Sequence, residues 1–168
     1  MTEELVARRT VDGDVIEWLA VPARARLLEL EPHPEGGWYR RTWAGTSSTE
    51  TPAGTRPAAT LIYFLLPPGE ASAWHVVTSD EVWLWHGPDT LRLQFGGSGD
   101  SPVEGDVAVL GPNEDAGERS QVLVAAGVWQ RTLPSAGETL VSCIVSPGFS
   151  FDDFTLAEAD DQTELNNP

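Results

Sequence analysis

The stretch "SAWHVVTSDEVWLWHG", from Ser72 to Gly87, sets His75, Ser79, Asp80, Glu81 and His86 among three tryptophans. Its pattern reads as a strand, a turn at Thr78–Asp80 and a second strand, which would bring His75 and Glu81 to a shared face. Burying an imidazole and a carboxyl without partners costs several kcal/mol, of order 2–5 in total. A segment used only for packing would do better with apolar residues. The two ionisable side chains therefore mark a ligand pocket, with the tryptophans as its apolar wall.

The flanking sequence extends the β reading. "GWYRRTWAG" (37–45), "AATLIYFLLPPG" (58–69), "DTLRLQFGG" (89–97), "DVAVLGP" (106–112), "SQVLVAAGVWQRTLP" (120–134), "ETLVSCIVSPG" (138–148) and "SFDDFTLA" (150–157) are short runs parted by Gly/Pro turns. In "DTLRLQFGG" apolar and polar residues alternate, the signature of a strand with one wet face. "TSSTETPAGTRP" (46–57) reads as a polar loop. From Asp12 to Leu28 one short helix is expected, with Val15, Ile16, Leu19 and Ala20 at helical spacing and Pro22 interrupting it. The acidic tail, 158–168, is expected to fray. The fold class is all-β, a closed barrel or jelly roll in a single domain spanning 1–168.

The chain has 168 residues, 16 glycines, 13 prolines and a formal net charge of −16. An acidic surface repels a phosphate backbone, so nucleic acid is not an expected partner. All ten basic residues are arginine, which removes lysine Schiff-base chemistry. The single cysteine, Cys143, excludes an internal disulfide and reads as buried core. No apolar run is long enough to span a bilayer, and "MTEELVARR" lacks the apolar stretch of a signal peptide. A cytoplasmic protein without a membrane partner is the expectation.

The central motif resembles that of the cupin superfamily: a glycine, five residues, His-x-His, three or four residues, then glutamate. Gly69, His75 and Glu81 keep that spacing, with Val77 where the second histidine would stand. The second cupin motif is Pro-x-Gly, two residues, His; here Gly127 matches, Ala125 replaces the proline and Gln130 the histidine. Four blocks resemble more closely a small cupin branch, a domain of unknown function. They are "LEPHPEGGWYRRTW" (Leu30–Trp43), "SAWHVVTSDEVW" (Ser72–Trp83), "VAAGVWQ" (Val124–Gln130) and "CIVSPGFSFDDFTL" (Cys143–Leu156). The resemblance spans roughly residues 25–157 and implies a cupin jelly-roll barrel with a short N-terminal helix, paired into a homodimer.

Three functions compete. The first is a metal-independent isomerase or epimerase acting on a carbonyl-containing or sugar-like metabolite. His75 would be the base, Glu81 its orienting partner and Tyr63 the acid. Arg40, Ser79, Trp83 and Gln130 would contact the ligand. The second is a weakly metal-binding cupin dioxygenase or lyase built on His75, Glu81 and Gln130; glutamine is a poor ligand, so no metal and no cofactor are expected. The third is a non-catalytic small-ligand-binding module using the same residues. A strongly shifted pKa at His75 points to catalysis, and a neutral, fully hydrogen-bonded His75 to binding. "HPEGG" is read as a backbone device, with Gly36 and Gly37 permitting an unusual turn. "SFDDF" is read as an arm packing Phe149, Phe151 and Phe154, with Asp152 and Asp153 solvated.

Overall fold

The computed structural model describes residues 4–162. In chain order its elements are β1 (Leu5–Arg9), β2 (Val15–Ala20), α1 (Ala23–Leu27), β3 (Glu31–Pro32), β4 (Trp38–Ala44), β5 (Ser48–Thr51), β6 (Gly54–Pro57) and β7 (Thr60–Leu66). They continue with β8 (His75–Val77), β9 (Asp80–Pro88), β10 (Leu91–Phe95), β11 (Val107–Leu110), β12 (Gln121–Val124), β13 (Gln130–Leu133), β14 (Thr139–Ser146), β15 (Phe154–Leu156) and α2 (Ala159–Gln162).

Two antiparallel sheets face each other. One has the order β11-β10-β13-β8-β15 and the other β12-β9-β14-β7-β4-β3. Their inner faces meet in a core of Phe64, Leu66, Trp83, Leu91, Leu93, Leu110, Val124, Val141 and Cys143. Period-2 alternation decides which side of β7 looks inward: Phe64 and Leu66 join this core. Leu65 and Tyr63 turn the other way, onto a second cluster with Ala25, Leu30, Trp38 and Leu140. The result is the expected jelly-roll-like, mostly β architecture. No helix among the described residues is long and apolar enough to cross a membrane.

Three local expectations need correction. Val15–Ala20 is a strand, not a helix: it pairs antiparallel with β1, with Leu5 opposite Ala20 and Val6 opposite Leu19. β-branched and aromatic side chains at Val15, Ile16 and Trp18 favour the extended form once a partner strand completes the ladder. Ile16 and Trp18 are 50% and 61% exposed, so no buried helical stripe forms. The helix comes after Pro22, whose carbonyl accepts from Arg26 N–H; the proline begins the helix instead of interrupting it. The second correction is the polar loop, 46–57, which folds as the β5–β6 hairpin with Ser48 opposite Pro57. The third concerns the tail. Residues 159–162 form a helical turn whose Gln162 side chain bonds both N–H and C=O of Trp74. The remainder, 163–168, lies outside the described residues.

His75 and Glu81 converge by a route the hairpin reading missed. β8 belongs to the smaller sheet and β9 to the larger, so the chain crosses between sheets at Thr78–Ser79. The two side chains approach one cavity from opposite walls.

Candidate functional site

The cavity opens between the sheets, has a volume of about 570 Å³, and includes His33, Glu35, His75, Glu81 and Cys143 in its lining. Two of these come from "HPEGG". Gly36 and Gly37 hold positive φ angles of 107° and 72°. A Cβ on Gly36 would lie 2.2 Å from the Ala71 carbonyl oxygen, and one on Gly37 would lie 2.6 Å from the Phe64 ring. Only glycine fits either position. The turn is pinned at Gly37 O, which accepts from His33 N–H and from Arg8 Nη2 at 3.2 Å. Thus the backbone reading of the glycines holds, and its consequence is chemical: the turn inserts His33 and Glu35 into the cavity.

Glu35 Oε2 lies 3.0 Å from His75 Nε2. On the other side of the ring, His75 Nδ1 lies 2.8 Å from the Ala73 carbonyl oxygen, which can only accept, so Nδ1 carries a proton. Burial lowers the His75 pKa to about 4, against a smaller opposing effect of the Ala73 bond. Burial, and then the neighbouring Glu81, raise the Glu35 carboxyl well above the usual range. With the imidazole neutral and its proton on Nδ1, Nε2 is bare, so the contact is a Glu35 O–H donating to His75 Nε2.

Glu81 sits on the facing wall. Gln130 Nε2 donates to its Oε2 at 2.7 Å, while Gln130 Oε1 accepts from the Trp83 indole N–H at 2.9 Å. Indole only donates, so the amide orientation is fixed and its NH₂ end must face Glu81. The Cys143 thiol also hydrogen-bonds Glu81. Burial lifts the Glu81 pKa to about 7, moderated by the Gln130 and Cys143 bonds. Burial and the two nearby carboxyls push the Cys143 thiol well up, as expected of an inert core cysteine.

One side of the cavity is aromatic. Phe149, Phe151 and Phe154 pack edge to face, with centroids 5.0 to 6.0 Å apart, and His33 meets Tyr39 at 4.6 Å. The expected phenylalanine arm is present. Asp153 within it is not solvated: Arg56 Nε and Nη2 grip its carboxylate at 2.7 and 3.1 Å. Arg41 Nη2 donates to Phe149 O at 2.7 Å, so two arginines hold the arm against the β4–β7 side. Tyr39 bonds Glu31, and burial followed by that carboxylate raises its pKa to about 12.

Of the residues anticipated from sequence, His75 and Glu81 line the cavity. Gln130 acts through Glu81, and Trp83, 1% exposed, stands behind it in the core as the amide's anchor. Tyr63 faces the opposite side of β7, against the second cluster and 6.3 Å from the His86 ring, so it is not the acid of this site. Arg40 also faces away, its Nε donating to Leu28 O at 2.9 Å; its neighbour Arg41 lines the cavity instead. One residue of register exchanges the faces. Ser79 is buried where the chain crosses between sheets and is not among the cavity-lining residues. Sequence reasoning missed His33, Glu35, Tyr39, Arg41 and Arg56. The available signal was two ionisable residues, His33 and Glu35, beside glycines that demand close packing.

The metal-binding alternative expected from the motif resemblance does not fit these side chains. Val77 lines the cavity where an imidazole would be needed, and both ends of the Gln130 amide are committed. Both His75 nitrogens have partners. Among the described residues no group of three or more His, Cys, Asp or Glu is arranged to hold a metal ion.

The family described as "Cupin superfamily (DUF985)" matches residues 24–157. A hypothetical protein from Leishmania major is 33% identical, with a TM-score of 0.73 over 84% of this chain and 89% of its own. A protein from Shewanella oneidensis is 37% identical, with a TM-score of 0.73 over 82% of this chain and 84% of its own. A cupin-2 domain from Rhodospirillum rubrum, 13% identical, shares the fold at a TM-score of 0.54 over 95% of this chain and 78% of its own. No curated protein matches the chain.

Proposed function

The chain belongs to the Cupin superfamily (DUF985), and from that premise we propose that its cavity binds a small carbonyl-containing or sugar-like metabolite and moves a proton on it, as an isomerase or epimerase. The observation that supports this reading is the 3.0 Å contact between His75 and Glu35 across the cavity from Glu81. Two proton-handling groups approach one space from opposite walls, and their environments differ.

With a pKa of about 7, Glu81 is roughly half ionised near neutral pH and is the better base. Its carboxylate takes the proton from the carbon beside the carbonyl, and the C–H electron pair flows into the C=O to give an enolate. The proton held between Glu35 and His75 returns to carbon. Transfer from Glu81 back to that pair closes the cycle with no net change. His75 is then the partner that stores and orients the Glu35 proton, a different role from the lone base expected at first. The arm of Phe149, Phe151 and Phe154 supplies an apolar wall that excludes water from the enolate.

A second reading, a non-catalytic binding module, has its own support: His75 is neutral with both nitrogens engaged. His75 thus meets the criterion for catalysis and that for binding together. Incubation in D₂O with dihydroxyacetone or D-fructose, followed by proton NMR, separates them. Deuterium entering beside the carbonyl at a rate abolished by Glu81→Gln supports catalysis. Binding of these probes without exchange moves the protein to the binding class. Cytoplasmic location and pairing into a homodimer are part of the same proposal; light scattering at the mass of one chain, 18.2 kDa, would remove the dimer.

A further inference from the structure

The geometry points to His33 as a hydrogen-bond donor to the ligand's carbonyl oxygen, through the Nε2–H of a neutral imidazole. This rests on the proposed carbonyl chemistry and adds the group that receives the oxygen's developing charge.

The tautomer follows from one bond. Glu35 backbone N–H donates to His33 Nδ1 at 3.1 Å, and a backbone amide nitrogen cannot accept. Nδ1 is therefore bare, and the neutral ring carries its proton on Nε2. A second proton on Nδ1 would confront that N–H directly. Burial, then His75 and Arg8, lower the His33 pKa well below its usual value, in the same direction.

The ring cannot easily turn to place its donor elsewhere. It is 4% exposed and surrounded by the rings of Tyr39, Phe64, Phe151 and Phe154 at 4.6 to 6.0 Å. Among the described residues, Nε2 has no hydrogen-bond partner, and the ring lines the cavity. An Nε2–H that no protein acceptor takes, on a ring that lines the cavity, is open to a bound molecule, and the ligand's oxygen is assigned as its acceptor. The two acids facing it have other tasks: the Glu35 proton, held against His75, is the one that goes to carbon, and Glu81 at work is an acceptor. In the proton transfer described above, the electron pair arriving on oxygen is stabilised by the His33 N–H, which keeps its proton throughout.

The test uses the intact protein with ¹⁵N-labelled histidine and acetohydroxamate, a small mimic of an enolate oxygen pair. Histidine ¹⁵N NMR should show His33 as the Nε2–H tautomer from pH 6 to 8. On adding acetohydroxamate its Nε2 proton should move downfield and become protected from exchange. His33→Phe, which keeps an aromatic ring in the cluster, should bind the probe about tenfold more weakly. An Nδ1–H tautomer, an Nε2 proton unmoved by a probe that shifts the His75 signals, no binding at all, or undiminished binding by His33→Phe overturns the assignment. The wild-type spectra decide the matter should His33→Phe fail to fold. An unmoved Nε2 proton beside active deuterium exchange would remove His33 alone, whereas absent exchange beside a shifted Nε2 proton would remove the catalytic reading alone.

Discussion

His75 Nε2 and Glu35 Oε2 stand 3.0 Å apart, and because burial keeps the imidazole neutral with its one proton on Nδ1 toward the Ala73 carbonyl, the proton between them comes from the acid. A neutral hydrogen bond of this kind differs from an ion pair in how it responds to substitution. Glu35→Gln can keep a donor toward His75 and should change the melting temperature little, while ending deuterium exchange. Glu35→Ala leaves Nε2 unpartnered and should cost about 1–3 kcal/mol in denaturant unfolding. Equal stability of the two variants would show that the bond is not made.

Glu81 makes stability depend on pH in a defined direction. Its folded pKa of about 7 lies above the ordinary carboxylate value near 4.3, so its contribution is full below that value and is lost as pH rises through 7. His75 works oppositely: its folded pKa of about 4 is below the ordinary value near 6.5, so its contribution is present above 6.5 and lost as pH falls through 4. Across pH 4 to 7 the two largely cancel. Glu81→Gln removes one of them, so the stability of this variant relative to wild type should rise with pH over that window. Thermal melts at half-unit steps check this, and a constant difference would mean that Glu81 has an ordinary pKa.

Gln130 positions Glu81 because its own orientation is set by Trp83. Gln130→Met removes both bonds at similar volume and should destabilise by about 1–3 kcal/mol. It should also move the pH profile of any exchange activity upward, since the Gln130 bond holds the Glu81 pKa down. An unchanged profile with lost stability would leave Gln130 a purely structural residue.

Val77 and Gln130 stand where the cupin pattern has histidines, and Val77 lines the cavity with His75 and Glu81. Val77→His combined with Gln130→His should raise affinity for Ni²⁺ at least about tenfold over wild type in calorimetry. No gain would show that these backbone positions do not converge as the motif alignment implies.

Asp153 ties the phenylalanine arm to the β5–β6 hairpin through Arg56. Asp153→Asn weakens that bidentate grip and should lower the melting temperature by several degrees. Hydrogen exchange should quicken in residues 149–154 and 54–57 more than in β14. Uniform quickening across the sheets would place the effect in global stability instead of in the arm.

Much of the fold was legible from local pattern. The alternation in Leu91–Phe95, the apolar run of β7 and the Gly/Pro turns state strands directly, because a strand with one buried face must alternate. His75 and Glu81, which line the cavity, were legible as candidates because an ionisable group inside an apolar strand requires a partner. Gly36 and Gly37 announced a tight turn. Tertiary structure decided the rest. Val15–Ala20 is a strand only because Leu5–Arg9 lies beside it, and a short apolar run is ambiguous until its partner is known. Arg41 and not Arg40 reaches the cavity, and Tyr63 does not, because the facing of β4 and β7 follows from register, which one residue inverts. Glu35 meets His75, and His33 packs among Phe64, Phe151 and Phe154 at the cavity, through contacts between segments far apart in the chain. Local sequence sets which residues can be buried; only the packing of the two sheets and the glycine turn sets which of them share a proton.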